Sequence, residues 1–159
     1  MKKLKRRVVG LDIHPDSFAG AVLEGCDPMT ARVTSTSTRV PLMQLEQWVE
    51  AHTTEHDVLV MEASGNSFAV ARRLRALKRK VIILESHQAG KIGKTYCAND
   101  RVDAVKIARI YLSGLSSVVW QPDVKTLERR EVFSAYQSVV KECTRPALLR
   151  PRRAAMLIA

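Results

Sequence analysis

Val8-Val9-Gly10-Leu11-Asp12-Ile13-His14 is an apolar run that closes on an acid, and the same design returns in Val58-Leu59-Val60-Met61-Glu62. Runs this short and this rich in β-branched residues predict buried strands, because a helix needs more length to be stable. A carboxylate at the end of such a strand leaves the core and stands at one edge of the sheet. Asp100 and Asp103 lie three apart at the start of a helical pattern, so they share one helix face. Asp12, Glu62, Asp100 and Asp103 together offer hard oxygen ligands of the kind that suit magnesium or manganese. Two such ions about 3.5–4 Å apart hold the attacking and leaving oxygens of a phosphoryl transfer. Phosphodiester chemistry is therefore the expected use.

Outward from these runs, residues 17–24 read as a hairpin partner of the first strand across Pro15 and Asp16, and residues 32–40 as a third strand at an edge. After Pro41, Leu42, Leu45, Trp48 and Val49 recur at helical spacing. Ser64 or Asn66 is placed to cap a second helix, which buries Val70, Ala71, Leu74 and Leu77. Residues 81–84 make a short buried strand, and residues 104–112 a helix with Val105, Ala108 and Leu112 on one stripe. The order predicts an α/β fold: a mixed sheet of a three-strand meander plus two further strands, with helices on both faces.

The chain has 159 residues, 46% of them hydrophobic, and a formal charge of +10. That is one domain's length with ample core. An acidic site within a basic protein fits a polyanionic partner, and DNA leads. The basic residues cluster as Lys2, Lys3, Lys5, Arg6 and Arg7, as Arg72, Arg73, Arg75, Lys78, Arg79 and Lys80, and as Arg145, Arg150, Arg152 and Arg153. Arg101 and Lys94 lie close in sequence to the acidic pair, where either a phosphate or a surface ion pair would engage them. Cys26, Cys97 and Cys143 are odd in number and widely spaced, which predicts free thiols in a reducing compartment. No apolar run approaches the roughly 18 residues of a membrane span. A cytoplasmic location and no membrane partner are expected.

Val8-Val9-Gly10-Leu11-Asp12-Ile13-His14, Met61-Glu62-Ala63-Ser64-Gly65 and Asn99-Asp100-Arg101-Val102-Asp103-Ala104 resemble, in order and spacing, the three blocks of the DEDD transposases of bacterial insertion sequences, the insertion-sequence one-ten family. The resemblance covers residues from about 8 to 140. It implies a ribonuclease H-like (RuvC-like) fold over residues 1–118, with Asp12, Glu62, Asp100 and Asp103 as the catalytic and metal-binding tetrad. It also implies DNA transposition with a structured guide RNA, and a nucleophilic serine in a second, C-terminal domain. Residues 119–143 would begin a coiled-coil-like helix, with Val132, Ala135 or Tyr136, Val139 and Cys143 on its apolar stripe. That stripe would pair with a second copy or with a full-length transposase. Residues 144–159, with Arg145-Pro146 and Arg150-Pro151, change composition abruptly. They are expected to form an irregular tail of the kind a frameshift or truncation leaves, so no serine is carried over as nucleophile.

Two other outcomes stay open: a non-catalytic remnant that binds nucleic acid or an intact relative, and a RuvC-like Holliday-junction endonuclease. His52-Thr53-Thr54-Glu55-His56 matches the His-x-x-Glu-His zinc pattern, but that chemistry requires one continuous helix, and Thr53, Thr54 and Asp57 favour a helix-to-strand connection. A sugar-kinase type phosphotransferase needs glycines just after its first-strand aspartate, and Ile13-His14-Pro15-Asp16 supplies none.

Overall fold

The computed structural model describes residues 7–87 and 103–148, apart from the side chains of residue 124 and of residues 146–148. Five strands, β1 (Arg7–Ile13), β2 (Ser17–Glu24), β3 (Arg32–Pro41), β4 (Val58–Glu62) and β5 (Lys80–Leu84), form one sheet in the order β3-β2-β1-β4-β5. β1, β2 and β3 run as an antiparallel meander, and β4 and β5 join β1 in parallel. This is the mixed sheet expected, a three-strand meander plus two further strands, with β3 at its edge. Beyond β5, Glu85 N–H donates to Ser117 O at 3.0 Å and Val119 N–H to Ile83 O at 2.8 Å, so residues 117–119 cover the other edge.

Strand alternation sorts the apolar residues onto two faces. Val8, Val58, Val60 and Leu84 share one core with Ala104, Val105, Ile107, Ala108 and Ile110 of α3 (Asp103–Ser113). Val9, Leu11, Leu59, Met61 and Ile83 share the other with Leu45, Trp48 and Val49 of α1 (Leu45–His52) and Val70, Ala71 and Leu74 of α2 (Ser67–Ala76). Leu42 does not begin α1: residues Leu42–Gln44 form a 3-10 turn first, a common device for tightening a helix start. Neither proposed cap of α2 acts as such, since Asn66 occupies the cap position without a side-chain bond. Ser67 holds the turn instead, its hydroxyl accepting from Ser64 N–H at 3.0 Å and donating to Ser64 O at 2.9 Å.

Gly10 brings α3 down onto the sheet. A Cβ at this position would collide with the carbonyl oxygen of Ala104 and lie 2.9 Å from its carbonyl carbon and 3.0 Å from Ala108 N. Only glycine permits this approach.

The chain divides into two units, residues 1–120 and 121–159. The second contains α4 (Val124–Leu148). α4 passes Thr144 and takes in Arg145 and Pro146, where sequence composition alone suggested an irregular tail. Val132, Phe133, Tyr136, Val139 and Val140 are exposed along it. Among the described residues no helix is long and apolar enough to cross a membrane.

Candidate metal centre

The alternation that builds the core also aims the acids. On β1, Val8 faces α3 and Val9 and Leu11 face away, so Asp12 returns to the α3 side. On β4, Val58 and Val60 face α3, so Glu62 does too. The parallel register pairs Leu11 with Met61, and one step further sets Asp12 beside Glu62. Asp103, the first residue of α3, adjoins Ala104, which rests on Gly10 two residues before Asp12. Three of the four predicted acids are thus delivered to one end and one face of the sheet. Asp100 lies outside the described residues, as do Lys94, Cys97, Arg101, Lys2, Lys3, Lys5, Arg6, Arg150, Arg152 and Arg153.

Electrostatics register the gathering. Glu62 is half-buried, and its carboxyl is held above the ordinary range, first by lost hydration and then by the charges of Asp12, Asp103 and Glu85. Asp12 is paired with His14, Nε2 to Oδ2 at 3.1 Å, and His14 N–H donates to Ser17 O at 2.9 Å. Asp103 is paired with Lys106, whose Nζ donates to Oδ1 at 2.8 Å. The charges of three other carboxylates oppose that of Glu62, an opposition that a divalent cation would relieve. The donor set fits a hard cation in kind. Among the described residues, though, no three such side chains stand close enough to hold one.

Sequence reasoning missed Glu85 and Lys106. Glu85 follows the apolar run of β5 as Asp12 and Glu62 close theirs, so its signal was present. Lys106 follows Asp103 by three, the spacing of helix-face neighbours.

Several basic residues counted toward phosphate contact serve the fold instead. Arg7 Nη1 lies 3.1 Å from the buried Oδ2 of Asp57, and Arg7 Nη2 donates to His52 O at 3.0 Å. Arg73 forks onto Glu46, Nη2 to Oε2 at 2.7 Å, and Arg75 donates to Val81 O at 3.2 Å. The His-x-x-Glu-His stretch does not continue a helix. α1 ends at His52 and Thr53 is extended, while the His52 ring stacks on Trp48 with centroids 4.6 Å apart.

No family model matches the chain, and no curated protein does. Among solved structures, one similar chain is that of T. thermophilus RuvC in complex with Holliday junction substrate. The two are 10% identical with a TM-score of 0.47, over 72% of this chain and 99% of that one.

Proposed function

We propose that residues 1–120 form a divalent-metal-dependent domain acting on DNA phosphodiesters, of the DEDD transposase or recombinase kind that the three sequence blocks resemble. The observation that carries this is the convergence of Asp12, Glu62 and Asp103 on one face of the sheet, with the charge of Glu62 opposed by its neighbours. Asp12, Glu62 and Asp103 would hold magnesium or manganese, with Asp100 joining from its neighbouring segment. A bound ion of this type polarises a phosphodiester and makes a coordinated water more acidic. The protein's own contribution is orientation: β1 and β4 fix Asp12 and Glu62 on rigid backbone, His14 holds one oxygen of Asp12, and α3 fixes Asp103 through its seat on Gly10. The formal charge of +10 draws DNA toward an acidic site that would otherwise repel it. A guide RNA, where the resemblance extends that far, would use the same attraction. The exposed apolar residues of α4 support association with a second copy or with a relative that carries the same helix.

The test is incubation of the full chain with labelled duplex and four-way-junction DNA in magnesium or in chelator, alongside Asp12→Asn. Metal-dependent nicking or strand transfer, lost in Asp12→Asn, is expected. Cleavage confined to the junction assigns the domain to resolution rather than transposition. Binding without cleavage in either metal assigns it a non-catalytic role.

A further inference from the structure

α4 runs for 25 residues, and every residue from 128 to 145 is exposed. Five of them, Val132, Phe133, Tyr136, Val139 and Val140, are large apolar side chains between 40% and 71% exposed. A seven-residue repeat orders them: Val132, Phe133 and Tyr136 are followed seven positions on by Val139, Val140 and Cys143. A repeat of seven suits a helix that winds around another of the same period, because the apolar stripe then stays in the seam.

The charges beside the stripe indicate which helix that is. At 100° per residue, Glu128, Glu131 and Glu142 fall on one side of Tyr136, and Arg130 and Lys141 fall on the other. Two copies lying parallel are related by a two-fold along the helices, which sets the acidic side of each against the basic side of the other. Antiparallel copies are related by a two-fold across the helices, which sets acid on acid and base on base. Flanking charges of this kind decide partner and orientation in helix pairs. Resting on the association of α4 proposed above, we infer that its partner is a second copy of this chain, bound parallel and in register along this stripe. Lys141 then lies beside the partner's Glu142, and Arg130 beside the partner's Glu131. Cys143, a free and exposed thiol, meets its own copy at the end of the seam. In an antiparallel pair the two thiols would stand at opposite ends.

The experiment is light scattering of the full chain over a concentration series, joined to mild oxidation of a chain whose Cys26 and Cys97 are replaced by serine. A dimer that Cys143 locks covalently is expected, the locked band vanishing in Cys143→Ser. Glu142→Lys supplies the sign. In the parallel pair it sets lysine against the partner's Lys141 and should weaken association by about threefold to tenfold; in an antiparallel pair it relieves acid on acid and strengthens it. Combining it with Lys141→Glu exchanges the two charges and should restore the unaltered affinity. A dimer that Glu142→Lys tightens, or that oxidation fails to lock, overturns the parallel seam while leaving the association standing. A monomer throughout overturns both and assigns the stripe to a different protein.

Discussion

Replacing Gly10 by alanine tests whether α3 is seated on the sheet as closely as described. The added Cβ would lie 2.9 Å from the carbonyl carbon of Ala104 and 3.0 Å from Ala108 N, and it collides outright with Ala104 O. Comfortable contacts between heavy atoms begin near about 3.5 Å, so α3 must retreat by something on the order of 1 Å. All three obstructing atoms are backbone, and no side-chain rotation relieves them. Overpacking of a well-filled core costs about 1–3 kcal/mol, and the rigidity here points to the upper half of that range. For a chain of this size each kcal/mol corresponds to roughly 2–4 °C, so a fall of about 4–12 °C in the melting temperature is expected. Thermal unfolding followed by circular dichroism reads it directly. Gly65→Ala is the control, because a Cβ there meets nothing within 4 Å. Retreat of α3 also carries Asp103 away from Glu62, so the magnesium-induced shift should weaken in Gly10→Ala. A melting temperature for Gly10→Ala matching that of Gly65→Ala would refute the close seating, and with it the reason Asp103 sits at the site.

Glu62→Gln should leave stability unchanged at a pH well below the ordinary glutamate pKa, where the carboxyl is protonated in folded and unfolded chains alike. Because its folded pKa is raised, the native protein loses stability as pH rises through that value, so the variant should melt higher than the native protein at pH 7 in chelator; equal melting there would count against the crowding of the acids. Arg7→Met leaves the carboxylate of Asp57, 3% exposed, with the Thr54 N–H at 2.8 Å but without its cation; a loss of about 2–4 kcal/mol in urea unfolding is expected, and a neutral result would return Arg7 to the pool of phosphate contacts. DNA affinity should fall steeply with salt in filter-binding titrations, each phosphate neutralised contributing about 0.9 to the log-log slope; a flat response would remove DNA as the partner.

The elements whose signal is local were legible in the sequence. Each of the strands carrying Asp12 and Glu62 is a short apolar run closed by an acid, while their common face follows from the packing on α3 and the β1–β4 register. The helix opened by Asp103 shows its apolar stripe at helical spacing. What the sequence did not disclose depends on partners far along the chain. Arg7, Arg73 and Arg75 were counted as basic surface, but Asp57, Glu46 and the Val81 carbonyl hold them, and net charge says nothing about pairing. The Gly10–Ala104 approach joins residues 94 apart, which no periodicity encodes. The edge pairing of residues 117–119 with β5 joins segments more than thirty residues apart, which no local pattern encodes. Asn66 shows the limit of cap propensity: it stands at the right position, while Ser67 makes the bonds.

Diffraction from crystals soaked in manganese, recorded for its anomalous signal, tests the central claim most directly. A peak within about 2.0–2.3 Å of carboxylate oxygens from both Asp12 and Glu62 is expected, with Asp103 in its inner or outer shell. An ion bound elsewhere, or a peak at only one of these carboxylates that persists in Asp12→Asn, would contradict a shared metal centre.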